Sequence, residues 1–103
     1  MVSPPIDVVD NPARHQFEVD LGGGEFAFAK YSLIPGAIRF YHTVVPDSHA
    51  GQGLGTALVE AGLAAARKRG LKVIPACSFF AAYLKRHPDQ HDLVSSECRH
   101  LIE

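Results

Sequence analysis

The sequence predicts an α/β fold: a mixed β-sheet, made of an antiparallel meander plus one parallel βαβ unit, packed with helices. Three observations predict it. From His15 to Leu21, Phe17, Val19 and Leu21 alternate with Gln16, Glu18 and Asp20, the pattern of a strand with one buried face. The run His49-Ala50-Gly51-Gln52-Gly53-Leu54-Gly55-Thr56-Ala57-Leu58 places three glycines at every second position directly before a helical pattern. Leu71–Ala76, short and mostly apolar, follows that helix, so it is expected to run parallel to the strand before it, through a right-handed crossover.

The elements follow in order. After Pro4-Pro5, which opens the ordered part, Ile6-Asp7-Val8-Val9 reads as a short edge strand ended by the turn residues Asp10-Asn11-Pro12. The alternating strand His15–Leu21 comes next, and Gly22-Gly23-Gly24 turns the chain into a longer strand, about Glu25 to Ile34. Pro35-Gly36 turns it again into a strand from about Ala37 to Val45, which completes the meander and feeds the glycine run. A helix is expected from about Gly53 to Arg69. At 100° per residue, Leu54, Leu58, Val59, Ala61, Gly62, Ala65 and Ala66 share one broad face, with Thr56, Glu60 and Arg67 opposite. Small residues on the inner face let it lie close to a sheet. Arg67-Lys68-Arg69 reads as a solvated, dipole-matched helix end rather than a basic binding patch, and Gly70 as the residue after it. Cys77 then falls at the C-terminal end of the strand Leu71–Ala76. Ser78 caps a helix from Phe79 to about His87, which Pro88 stops, and His91 to Glu103 adds a final short helix.

A chain of 103 residues with 47% hydrophobic and 20% charged residues reads as a single domain, 1–103, of ordinary globular composition. The net charge of −1 argues against nucleic acid or an anionic membrane surface as partner. No apolar run approaches the roughly 18 residues of a spanning helix. Met1-Val2-Ser3-Pro4-Pro5 lacks the charged and apolar regions of a signal peptide, so a cytoplasmic location is expected. Cys77 and Cys98 read as thiols, because a domain this apolar needs no disulfide framework.

Glycines before a helix leave backbone amides bare and let a ligand approach without a Cβ in the way, so the run reads as an anion or phosphate cradle. A P-loop is excluded because Thr56-Ala57, not Lys-Ser or Lys-Thr, follows Gly55. A dinucleotide fingerprint fits poorly. Gly51-x-Gly53-x-x-Thr56 lacks the third glycine, and the next strand ends in Ala76-Cys77 rather than an acidic residue.

Val45-Pro46 followed by Gly51-Gln52-Gly53-Leu54-Gly55-Thr56-Ala57-Leu58 resembles the acetyl-coenzyme-A signature of the GNAT N-acetyltransferase superfamily. Two further blocks agree in order and spacing with its small members: Phe40–Pro46, and Gly70–Phe80 with Tyr83 and His87-Pro88. The resemblance covers most of residues 15–95. It implies a minimal GNAT-like fold and acetyl-coenzyme A as co-substrate. The coenzyme would be held by Val45, Gly51, Gln52, Gly53, Leu54, Gly55, Thr56 and Ala57. Two departures stand out. Ala50 occupies the position where the signature has Gln or Arg, which leaves pyrophosphate binding to main-chain amides. The helices and strands that wall the acceptor pocket in larger members are absent, which leaves the acceptor side open.

Acetyl transfer to an amine needs a neutral amine, a donor for the developing oxyanion and a proton for the departing thiolate. Cys77, His42 and Tyr83 are the candidate catalytic residues. Cys77 sits before a helix N-terminus, where a thiolate is favoured, and the resemblance puts a cysteine beside the thioester; the alternative is a small buried hydrophobe. His42 shares its strand face with Ile38, Phe40 and Val44, as a base or positioning residue or as a packed core histidine. Tyr83 is the proton donor that the family's helix implies, or a core aromatic beside Phe79 and Phe80. His87 and His91 are four apart, but Pro88 lies between them and no third ligand is near, so no metal is expected. Lys85 and Arg86 are solvent-facing or meet the coenzyme's phosphates.

The expected function is N-acetyl transfer from acetyl-coenzyme A to an unidentified small-molecule or protein amine. The alternative is a coenzyme-A or acyl-coenzyme-A binding module with little turnover. An acyl-carrier or redox role of Cys77 is a third reading.

Overall fold

A computed structural model describes residues 6–103 of the chain; Pro4-Pro5 lie outside them. Alternation and turns produce the expected meander: β1 (Val9–Asn11), β2 (Gln16–Gly22), β3 (Glu25–Ile34) and β4 (Ala37–Val44) are antiparallel neighbours in sheet order. Helix α1 (Leu54–Arg69) then crosses over to β5 (Lys72–Pro75), which pairs with β4 in parallel, and α2 (Ser78–Arg86) follows. Gly70 ends α1 in the left-handed conformation at φ 67°, its amide bonded back to the last turn. No helix among the described residues is long and apolar enough to cross a membrane.

Alternate residues of the central strands, among them Phe17, Val19, Ala27, Ala29, Ile38 and Phe40, are buried on one face, and the inner side of α1 covers it with Leu58, Val59, Leu63 and Ala66. Phe80 of α2 stacks on Phe40 with ring centroids 4.0 Å apart and planes 11° from parallel. A Cβ on Gly62 would lie 2.8 Å from Phe40 and 3.0 Å from Phe80. Glycine in mid-helix costs about 1 kcal/mol relative to alanine, and here it lets α1 close over the paired rings.

Two expectations are corrected. The edge strand is Val9–Asn11, not Ile6–Val9, because Asp10 is tied into the sheet. Tyr31 donates its hydroxyl to Asp10 Oδ1 at 2.7 Å, and Arg69 at the end of α1 donates to Oδ2 at 2.8 Å. The chain reverses one step later, in a 3-10 turn at Pro12–Arg14. The C-terminal stretch forms two 3-10 segments, Pro88–Leu93 and Ser96–Ile102, rather than one short helix from His91 to Glu103. Between them Val94 bridges to Val73 of β5, and Leu93, Val94 and Ile102 enter the core, which one continuous helix would not allow. Arg67 and Lys72 hold this segment through Asp92, by a side-chain pair and a 2.7 Å bond to its carbonyl.

The Tyr31 phenol is pushed up to about 12, first by burial and then by its hydrogen bond to, and the charge of, Asp10. An unfolded tyrosine ionises near pH 10, so between about pH 10 and 12 the unfolded chain gives up this proton while the native chain keeps it. The contribution is complete below pH 10 and lost as the pH rises to 12, a change of about 2 kcal/mol. Urea unfolding across that window should show the wild-type protein losing about 2 kcal/mol more than Tyr31→Phe. Equal slopes for the two would show that the Asp10–Tyr31 bond does not govern alkaline stability.

Candidate functional site

Past β4 the chain makes a 3-10 turn at Asp47–His49, runs extended through Ala50, and enters α1 through Gly51 and Gly53, both at φ 80°. An L side chain is strained there. A Cβ on either glycine would meet nothing within 4 Å, so both are required by backbone conformation and open space lies in front of them. Gly53 is the N-cap and carries no side chain to cap the helix. The amides of Leu54, Gly55 and Thr56 therefore have no partner within α1, and the positive end of the helix dipole faces the same side. Gly55 differs. A Cβ there would lie 2.4 Å from Phe79 Cε1, so this glycine serves the close approach of the first turns of α1 and α2.

A cleft of about 540 Å³ opens between those turns. Val45, Gly51, Gly53, Leu54, Gly55 and Thr56 line one side, and Ser78, Phe79, Ala82, Tyr83 and Arg86 of α2 the other. Among the described residues that line it, Arg86 is the one that carries a charge. Gln52 lies in a separate groove beside β2, and Ala57, half-buried a turn into α1, is not on the cleft wall. Lys85 is exposed and off the lining.

The structure separates the polar residues of β4. Tyr31 pairs with Phe40 while Lys30 pairs with His42, so Tyr41 is an extra residue: a β-bulge. Beyond it the faces are exchanged. Thr43, opposite the fully buried Ala29, now points to the helix side, whereas the exposed His42 lies on the other face with its ring 6.1 Å from Phe28. His42 thus keeps Val44, the partner of Phe28, on its face but loses Ile38 and Phe40, a correction to the alternation expected for this strand. The bulge depends on the pairing of two strands, and no local signal in the sequence marks it.

Thr43, which the sequence did not single out, brings its Oγ1 within 3.2 Å of Cys77 Sγ. Cys77 is the half-buried N-cap of α2 and makes no capping bond through its side chain; it takes the position expected for Ser78. β5 stops at Pro75, and the last backbone bond to β4 runs from the Ala76 amide to the Phe40 carbonyl, 2.9 Å. From Tyr41 onward, β4 has β3 on one side and no strand on the other among the described residues. The two chains fork there, bridged by the Thr43–Cys77 contact.

Tyr83 is buried on the cleft wall and donates its hydroxyl to Glu60 of α1 at 3.2 Å. Burial, then the charge of Glu60 and its hydrogen bond, raise its pKa above the ordinary phenol value, so it remains a donor at neutral pH. His87 stacks on Tyr83 with centroids 3.9 Å apart, and its Nδ1 bonds to the Tyr83 carbonyl at 2.7 Å. His91 Nε2 meets the Leu84 carbonyl. Both histidines close the C-terminal end of α2 on its own carbonyls rather than facing a common centre.

A family profile described as GCN5-related N-acetyl-transferase matches residues 16–93. Among solved structures, this chain is similar to the solution NMR structure of a GCN5-like protein from Staphylococcus aureus, described as a candidate N-acetyltransferase. The TM-score is 0.68 and the identity 27%, over 87% of this chain and 88% of that one. A search of curated proteins finds no match.

The Gly55–Phe79 contact generates a prediction. In the wild-type background Gly55→Ala must displace the exposed Phe79 ring, whereas in a Phe79→Ala background the same change meets no ring. A double-mutant cycle in urea should give a coupling of about 1 kcal/mol or more between the two positions. Additive effects would mean that the ring does not require the glycine.

Proposed function

The chain belongs to the GCN5-related N-acetyltransferase family, and from that premise we propose that it transfers an acetyl group from acetyl-coenzyme A to an amine, with the coenzyme in the cleft between α1 and α2. The observation that carries the proposal is the uncapped first turn of α1, entered through two positive-φ glycines and opening on a cleft whose lining includes Arg86 and no carboxylate. Those amides suit the pyrophosphate. The unpaired edge of β4 beyond Phe40 offers backbone groups to the amides of the pantetheine arm. That arm leads from the glycine turn towards the fork, where Cys77 and Thr43 meet.

In the proposed reaction the amine nitrogen attacks the thioester carbonyl carbon from the open face of the sheet, the C–N bond forms and the C–S bond breaks. His42, on that face, takes the proton that the amine loses. Tyr83, a cleft hydroxyl that stays protonated, gives a proton to the departing thiolate in place of its bond to Glu60. Cys77 packs beside the thioester rather than carrying the acyl group. Among the described residues, the polar partner of its sulfur is a threonine hydroxyl rather than a base that would activate it.

Two measurements test the reading. Gly53→Asp should weaken acetyl-coenzyme A binding at least about tenfold by calorimetric titration, and Gly53→Asn, which bears a similar backbone cost without charge, should weaken it much less. Equal affinities in the folded Asp variant and the wild type would remove the turn as the phosphate site. For the chemistry, Cys77→Ala should keep most of the acetylation rate and His42→Ala should lose about a hundredfold. An acetyl adduct on Cys77 in intact-mass spectra that discharges to an amine as fast as turnover would make the thiol the nucleophile. Tight binding with no amine acetylated above background would leave a binding module.

A further inference from the structure

The face of the sheet opposite the helices carries, near His42, two cations that the proposed chemistry does not use. Lys30 is paired with His42 across the β3–β4 ladder, and its Nζ lies 5.7 Å from the centre of the Phe28 ring, which also neighbours His42. Arg39, on the same face, holds its guanidinium 5.3 Å from the Tyr41 ring. The rings of Phe28 and Tyr41 thus support one cation each, and Lys30 Nζ also donates to the Arg14 carbonyl at 3.5 Å. Among the described residues, the ion pairs are Arg67–Asp92 and Arg69–Asp10, so neither Lys30 nor Arg39 has a carboxylate partner. The nearest acidic side chain in the ladder on this face is Glu18, opposite Phe28, and its Oε1 already accepts from Asn11 and Gln16.

We propose that the acceptor is a small amine that also carries an anionic group, a carboxylate or phosphate, and that it docks on this open face with the anion on Lys30 and Arg39 and the amine at His42. The inference rests on the acetyl-transfer reading and names its substrate class. The charge pattern selects the occupant. Two cations without an ion-paired carboxylate among the described residues, against the single carboxylate of Glu18 on this face, attract an anion and repel a polyamine or a lysine-rich peptide, and each cation lies over an aromatic ring of the strands that hold the histidine. The location agrees with the fork: β5 has ended at Pro75, so nothing in the sheet stands between His42 and the unpaired edge of β4. Exposed contacts of this kind shift affinity only severalfold each, so the effect is a preference among amines.

The test uses a matched series in which only the remote group changes: 5-aminopentanoate, pentylamine and 1,5-diaminopentane, with glucosamine 6-phosphate against glucosamine as the phosphate pair. With acetyl-coenzyme A saturating, kcat/KM should be highest for the anionic member of each set, by about fivefold or more. Lys30→Glu combined with Arg39→Glu should reverse that order, and added salt should flatten it. A faster dication in the wild-type protein, or an unchanged order in the double variant, overturns the inference. Binding to the coenzyme-A complex, followed by NMR shifts of the Phe28, Tyr41 and His42 amides, separates it from the acetyl-transfer reading. Shifts with 5-aminopentanoate and none with 1,5-diaminopentane support the anionic acceptor even if no product forms, whereas shifts with the dication alone refute it.

Discussion

The stack of Phe40 on Phe80, closed from a third side by Gly62, sets how two helices share one sheet. Phe40 is the last β4 residue paired to β5, Phe80 stands in the first turn of α2, and Gly62 is at the middle of α1. Three elements therefore meet at one point with no side chain on the helix that crosses it. Both rings are fully buried, worth on the order of 2–3 kcal/mol each in removal of apolar surface from water. Their larger consequence is geometric. With the interior close-packed, the separation of the first turns of α1 and α2 is not free to vary, and that separation is the width of the cleft. Gly55 against Phe79 repeats the device one layer out, at the cleft wall.

The bulge at Tyr41 divides β4 between two environments. Without the extra residue, His42 would face the interior beside Phe40, and its imidazole would need partners in a region built from alanine, leucine and aromatic side chains. With it, a small hydroxyl enters instead and finds the Cys77 sulfur, while the histidine reaches the open face. A bulge disrupts the regular hydrogen-bond ladder. Here it lies next to the end of β5, where β4 is already losing its neighbour on the other side, so the disruption adds little to an edge that is unpaired in any case.

Legibility of the sequence followed the range of the interactions. The meander, the glycine-led helix and the parallel return of β5 rest on local alternation, turn residues and periodicity, and they were readable to within one or two residues. So was the glycine turn at Gly51 and Gly53, whose requirement is a backbone angle that glycine alone meets without strain. What was not readable depends on distant partners. β1 is shifted by the bonds of Asp10 to Tyr31, 21 residues away, and to Arg69, 59 residues away. The C-terminal stretch is broken where Val94 reaches Val73 and where His91 caps the preceding helix. The face of His42 follows from a slip between two strands. Thr43 was passed over because a threonine in a strand carries no signal until its neighbour is known.

The glycine run also shows that equal spacing does not mean equal cause. Gly51 and Gly53 are there for positive φ and leave open space, Gly55 is there because Phe79 lies against it, and Gly62, outside the run, answers to Phe40 and Phe80. The third glycine therefore adds nothing independent to an anion-binding argument. An anion in the cleft would meet the turn made by the first two and the helix they introduce. Ala50 strengthens the same point. It is extended, at φ −62° and ψ 146°, and stands on the cleft wall at the position where the family signature has Gln or Arg. A methyl group there offers an anion nothing, so in the proposed reading the main-chain amides, whose position depends on the fold rather than on a rotamer, would hold the pyrophosphate. Such donors lose little entropy when a ligand binds, because the packing of α1 against Phe40, Phe79 and Phe80 has already fixed them.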